Sequence, residues 1–226
     1  MDWLCRWIST EPDLARWEQG RFCAAVDEGP RSHDNRDNHE RVVGWEANGA
    51  PESHGIARRL ADAILRFDVF PPSLLTGVLR RTPVEVGDTV GLRYHFVPGL
   101  DLFFAARVID RFEDEADDQW RCGFTYRTLH GHPECGEETF IVEKELMSGK
   151  VTAALRSWSR PGLWIAKLMY PVVRRLQLRA GRAALDHLDR LAHPVELQPA
   201  QVSSAARPLI ARRNLRTGLM RSDERW

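Results

Sequence analysis

At 226 residues, 43% hydrophobic and 28% charged, the chain has the length and composition of one soluble globular domain with extensions. Its formal net charge is zero but unevenly spread. Residues 1–149 carry 17 Lys and Arg against 27 Asp and Glu, and residues 150–226 carry 15 against 5, an asymmetry either neutralised within the fold or offered to a phosphate, membrane or nucleic-acid surface. No run approaches 18 apolar residues, which excludes a transmembrane helix.

The opening MDWLCRWISTEPD does not read as a signal peptide: Asp2 stands where positive charge belongs and Arg6 breaks the apolar run. The four cysteines show no CxxC and no disulfide-framework spacing, so a reduced, cytoplasmic setting is expected. Residues 1–29 are tryptophan-rich, and Thr10 before Glu11, Pro12 and Asp13 signals a helix start. Such a helix serves either as an interfacial anchor or as packing on the main domain. DEGPRSHDNRDNHER (27–41) has turn residues and no apolar period, and reads as a linker.

RVVGWE (41–46) reads as a short strand. ESHGIARRLADAILRF places Ile56, Leu60, Ile64 and Phe67 at helical spacing behind Ser53 as an N-cap. PPSLLTGVLRR reads as a second short helix opening on prolines. The period then changes to two, and five strands follow at hairpin spacing: EVGDTVGLRYHFV, LFFAARVIDRFED, QWRCGFTYRTL, ETFIVEKELMSGK and VTAALRSWS. Parity puts Leu102, Phe104, Ala106 and Val108 on one buried face with Trp120, Cys122, Phe124, Tyr126, Phe140 and Val142. The opposite, solvated face collects Arg107, Arg111, Arg121 and Arg127 with Glu143 and Glu145, as cross-strand ion pairs rather than a nucleic-acid patch. Residues 161–191 are helical, with a stripe of Ile165, Leu168, Val172, Leu176, Ala183 and Leu191 and a break at Pro171. A long helix after a curved antiparallel sheet must cover the sheet's apolar face. The Pro-, Ser- and Arg-rich remainder reads as a flexible tail. The expected division is an extension and linker over 1–40, an α+β domain over 41–193 and a basic tail over 194–226.

The segment FTYRTLHGHPECGEETFIVEK (124–144) concentrates the polar chemistry. His130, His132, Glu134 and Cys135 are chemically suitable metal ligands, but their spacing matches no standard zinc pattern, and no metal or cofactor is expected. Cys135 beside a histidine has nucleophile form, yet its acidic neighbours disfavour the thiolate. Gly131, Pro133 and Gly136 mark a hairpin tip instead. Parity carries Thr128, His130, Glu138 and Ser157 onto the inner face, as the few polar groups at one end of an apolar concavity. Glu138 and His130 there form either an acid–base pair or a hydrogen bond that fixes the hairpin.

GFTYRTLHGHPECGEETF (123–140), SWSRPG (157–162) and YPVVRRLQ (170–177) together resemble uncharacterised protein family 0548. His132, Pro133, Glu134, Gly136 and Glu137 match its hairpin motif, and Arg160, Arg174 and Gln177 match its later positions. Arg127 departs from the family's glycine and puts a charge near the hairpin. That family resembles the START-like, birch-pollen-allergen-like superfamily, which implies a helix-grip fold: a curved antiparallel sheet wrapped around a long C-terminal helix. The resemblance also implies binding of a small hydrophobic molecule. The ligand-contacting candidates are then Tyr126, His130, Glu138, Ser157, Arg160, Arg174 and Gln177, with Arg160 or Arg174 paired to Glu137 or Glu138. An enzyme using Glu138 or His130 for proton transfer, of cyclase or hydrolase type, is the alternative. A peripheral membrane protein, held by the N-terminal tryptophans, basic helix and basic tail, is a further one. Nothing in the sequence sets the oligomeric state.

Overall fold

Period-two alternation, not helix, builds the middle of the chain. The computed structural model describes residues 4–7, 14–25 and 28–194. In chain order these form β1 (Leu4–Trp7), α1 (Leu14–Glu18), β2 (Asn35–Trp45), α2 (Ile56–Leu65), β3 (Leu75–Val78), β4 (Thr89–Val97), β5 (Leu100–Ala116), β6 (Gln119–Thr128), β7 (Glu134–Glu145), β8 (Lys150–Pro161), α3 (Trp164–Leu168) and α4 (Tyr170–Ala192). The sheet is antiparallel in the order β2-β8-β7-β6-β5-β4-β3, and β1 adds against the first residues of β5. From β4 to β8 it is a meander of neighbours in sequence; β2 returns to pair with β8 at the far edge. Helices α2 and α4 lie on the concave face, giving the helix-grip fold expected above.

The concave core is aromatic. Phe140, fully buried, has ring centroids of Phe124 and Tyr126 at 5.3 Å and of Phe67 and Phe70 at 5.9 Å. Further along β7, Lys144 is wholly buried on the same face. Its ammonium reaches Glu46 Oε2 at 2.8 Å and the Ala50 carbonyl at 3.1 Å. Glu46 also accepts from the backbone N–H of Ala57, at the first turn of α2, at 2.7 Å. The pair therefore ties sheet, loop and helix at one point.

Several expectations need correction. The segment read as a linker over 27–41 contains the start of β2, which pairs with β8 from Asn35 onward. The stretch read as a short helix after Pro71 forms strand β3 at the sheet edge. A bulge between Val108 and Asp110 shifts β5 by one residue, so Arg111 pairs with Phe124 on the concave side and meets Glu85 at 2.6 Å. The helical region does break before Pro171, and the stripe holds in part: Leu176 lines the cavity and Leu191 packs on the core, while its first residues do not. The break resets the helical phase, and the buried residues of α4 are Gly181, Ala184, Leu185, Leu188 and Ala192. Leu168 is 73% and Val172 42% exposed.

Residues 14–25 pack on the convex face. Trp17 lies against Gly91, where a Cβ would come within 2.8 Å of its ring. Phe22 bridges to Leu129, with the guanidinium groups of Arg107 and Arg127 at 5.5 and 5.8 Å from its ring. Cys23, Ala24, Cys135 and Trp158 form a small second core there. Packing thus accounts for this part of the N-terminal region. The helix start read at Thr10 and, beyond its first residue, the tail read over 194–226 lie outside the described residues.

Candidate functional site

Strand register assembles the site. Val108, Tyr126, Glu138, Ser157 and Asp37 are successive partners across β5, β6, β7, β8 and β2, so their side chains share one concave row. One step towards the hairpin tip, Gly136, Ser159 and Asn35 continue in the same order. Gly136 has to lack a side chain: a Cβ there would sit 1.9 Å from the Trp158 carbonyl oxygen. Its N–H donates to Thr128 Oγ1 at 3.0 Å, which closes the end of the β6–β7 hairpin.

Between this row and α4 lies a cavity of about 190 Å³. An engineered apolar cavity of about 150 Å³ takes up benzene, so the space suits a compact molecule. Phe70, Leu75, Leu92, Leu102 and Phe104 form one wall, and Val173, Leu176 and Ala180 of α4 form another. Apart from Tyr94 in the first wall, the polar groups gather at one end: Tyr126, Thr128, His132, Glu134, Glu138, Ser157, Ser159 and Gln177.

These groups divide into a clamped set and an open set. Arg174 donates to both Asp37 carboxylate oxygens at 2.5 Å and to Gln177 Oε1 at 2.7 Å. Gln177 in turn donates to Ser159 Oγ at 2.9 Å, fastening α4 to β2 and β8. The Arg174 guanidinium is held above its already high value, first by its hydrogen bonds to Asp37. In the open set, the Tyr126 hydroxyl donates to Glu138 Oε2 at 2.7 Å. Burial raises the Glu138 carboxyl to about 7 against the opposing pull of that bond. Burial, then the Glu138 charge, raises Glu134 to about 8. His132 is 9% exposed, and desolvation lowers its ring to about 3, so it is neutral. Its Nδ1 accepts from the Glu134 N–H at 3.0 Å, which leaves the proton on Nε2. Among the described residues that Nε2–H has no hydrogen-bond partner, while the ring packs edge-on against Phe104 at 4.5 Å between centroids.

The raised carboxyls set a pH dependence. Folded Glu138 ionises near 7, whereas the unfolded chain ionises near the ordinary 4.5. The stability carried by the neutral form is complete below the unfolded value and is lost as pH rises through 7. Glu138→Gln should remove this term. Between pH 5 and 8 the unfolding free energy of the wild type should fall by roughly 1–3 kcal/mol more than that of the variant. Parallel profiles from urea denaturation would contradict the burial argument.

The expected site residues fall into three groups. Tyr126, Glu138, Ser157 and Gln177 line the cavity, as do His132, Pro133, Glu134 and Gly136 of the hairpin motif. Arg174 stands behind Gln177 and binds Asp37, not Glu137 or Glu138. His130 and Arg160 do not line it. The strand ends at Thr128, so parity no longer holds at His130, which is exposed and gives its N–H to the Arg21 carbonyl at 2.7 Å. The pairing expected between His130 and Glu138 is therefore replaced by Tyr126–Glu138. Arg160 turns to the convex side, to Glu28 at 2.5 Å and Asp34 at 3.0 Å. Glu137 borders the cavity, yet its carboxylate bonds Arg127 and, at 3.0 Å, the Trp158 Nε1–H on that same convex side. Arg127 thus stays away from the cavity. Sequence reasoning passed over Asp37, whose signal would have been its place opposite Ser157, and the cavity side of His132.

A family model described as a domain of unknown function, DUF1990, matches residues 22–187. A UPF0548 protein of Dictyostelium discoideum is 34% identical over 105 residues, 43% of this chain and 48% of that one. The match thus spans about half the length of that curated relative. Among solved structures, hypothetical protein jhp0584 from Helicobacter pylori aligns at 14% identity and TM-score 0.45, covering 82% of this chain and 99% of its own. Major latex-like protein 151 from Panax ginseng aligns at 11% identity and TM-score 0.45, covering 71% and 99%. Norcoclaurine synthase from Thalictrum flavum, in complex with dopamine and hydroxybenzaldehyde, aligns at 11% and 0.40, covering 74% and 95%.

Proposed function

The chain belongs to the DUF1990 family, whose model matches most of its length, and from that premise and the site's geometry we propose that it binds a compact amphipathic molecule between sheet and α4. The observation that carries this reading is the division of the cavity: apolar walls, with polar groups converging at one end. The apolar part of the ligand lies against Phe70, Leu92 and Phe104. Its polar part meets the Tyr126–Glu138 pair and the unused Nε2–H of His132, a donor that suits a carbonyl or hydroxyl oxygen. A cytoplasmic setting accords with Cys23, Cys122 and Cys135 all being free thiols. Among the described residues no helix is long and apolar enough to cross a membrane.

A second reading rests on Glu138 alone. A carboxyl near 7, bonded to a tyrosine hydroxyl, is poised for proton transfer at neutral pH. Native mass spectrometry of the purified protein, followed by denaturing extraction, separates the two. Binding predicts one co-purifying species of defined mass, displaced by competitors unchanged. Catalysis predicts that the species is chemically altered on incubation and that Glu138→Gln stops the alteration. A protein that stays empty through purification and a screen of compact amphipathic compounds, with no thermal shift, would overturn both.

A further inference from the structure

Two helical residues expected to face the sheet, Leu168 and Val172, instead face solvent, beside other exposed apolar side chains. Trp164 is 70% exposed, Leu168 73%, Met169 46%, Tyr170 37% and Val172 42%. They cluster where α3 ends and α4 begins. Along the chain the charge here is of one sign: residues 162–185 contain five Lys and Arg and no Asp or Glu. Of these bases, Arg174 is committed to Asp37. Lys167, Arg175, Arg179 and Arg182 are exposed and make no ion pair among the described residues.

We propose that α3 and the first turns of α4 form a docking element for an anionic lipid surface. Exposed apolar side chains that include a tryptophan and a tyrosine, ringed by unpaired bases, suit the boundary between headgroups and acyl chains. The bases supply attraction to anionic lipid, and the apolar side chains supply burial that salt does not screen. Residues 195–226 carry six Arg against three Asp and Glu, a composition not complementary to a basic face. Location gives the element a use, a point that rests on the ligand reading above. The helical turn that turns Tyr170 and Val172 outward turns Val173, Leu176 and Gln177 into the cavity. A docked protein would hold its cavity at headgroup level.

The test is co-sedimentation of the full chain with vesicles of phosphatidylcholine alone and of phosphatidylcholine with phosphatidylserine. Binding should require phosphatidylserine and weaken as salt rises. Trp164→Ala with Leu168→Ala should lower the partition coefficient at least about tenfold. Lys167→Ala with Arg175→Ala should lower it roughly 25-fold at low salt, about fivefold for each charge. These side chains are exposed, so the melting temperatures should not move. To read insertion rather than adsorption, brominated phosphatidylcholine in the vesicles should quench tryptophan fluorescence, and Trp164→Phe should remove that quenching while binding persists. Binding unaffected by either double variant would place docking elsewhere and overturn the proposal. So would no binding to anionic vesicles, or a sedimentation velocity in which Trp164→Ala with Leu168→Ala converts a dimer to a monomer. Because vesicle binding is read on protein with or without ligand, a failure here leaves the cavity reading standing.

Discussion

Lys144→Met should cost about 3–5 kcal/mol of unfolding free energy, because it leaves the Glu46 carboxylate buried without its counter-ion. The side chains of the pair are 0% and 3% exposed, and Lys144 spends two donors on Glu46 and the Ala50 carbonyl. Burial alone would push the Glu46 carboxyl up. Hydrogen bonds from Lys144 and from the N–H groups of Ala57 and Glu52 outweigh it, and the carboxyl lies below its ordinary value. Its contribution is therefore present above pH 4.5 and is lost as pH falls through the folded value. Adding Glu46→Gln to the lysine variant keeps an acceptor for the Ala57 N–H and removes the stranded charge. The double variant should lose less than the sum of the two single ones. Urea denaturation of all four proteins completes the cycle, and additive losses would mean that water reaches the pair.

Phe140→Ala should be comparably severe, at about 3–5 kcal/mol. Four aromatic rings surround this side chain, at centroid distances of 5.3 to 5.9 Å. Two of them, Phe70 and Tyr126, also line the cavity beside α4. The deletion therefore removes burial and contacts and also loosens the floor beneath the Tyr126–Glu138 pair. Phe140→Leu should lose about 1–2 kcal/mol, because most of the space stays filled. Equal losses for the two variants would mean that ring shape, not volume, is what the core requires. The measurement is again urea denaturation, with ligand affinity taken at concentrations where each variant is folded.

Much of this was legible in the sequence, and the failures have physical causes. Strands β4 to β8 announce themselves because one face is apolar and the other polar, and the row of Tyr126, Glu138 and Ser157 follows from parity alone. The first part of strand β2, before the stretch read as a strand from Arg41, hides, since its inward residues are polar: Asp37 meets Arg174, His39 lies against Gly181, and Arg41 reaches Asp186 at 2.7 Å. Alternation of hydrophobicity cannot reveal a strand whose inner face is charged. The family match, beginning at residue 22, takes in β2 where the motifs alone suggested a start at 41. The bulge after Val108 has no compositional mark, so Arg111 was assigned to the wrong face. At His130 parity was carried past the last paired residue. Arg160 was misplaced for a related reason: its partners Glu28 and Asp34 lie in a segment read as an unstructured connection.

The return of β2 to the far edge also sets an order of events during synthesis. Asn35 pairs with Ser159 and Trp45 with Lys150, so the second strand of the chain waits for the eighth. Strands β4 to β7 can zip as each emerges, since each finds its partner one hairpin away. Until β8 has left the ribosome, β2 has no sheet edge to join, and Asp37 has no helix carrying Arg174 to meet. Closing so long a loop is the slow, entropically costly step. A nascent chain stopped before residue 150 would hold most of a meander but neither β8 nor α4, and β2 would be the segment most in need of a chaperone.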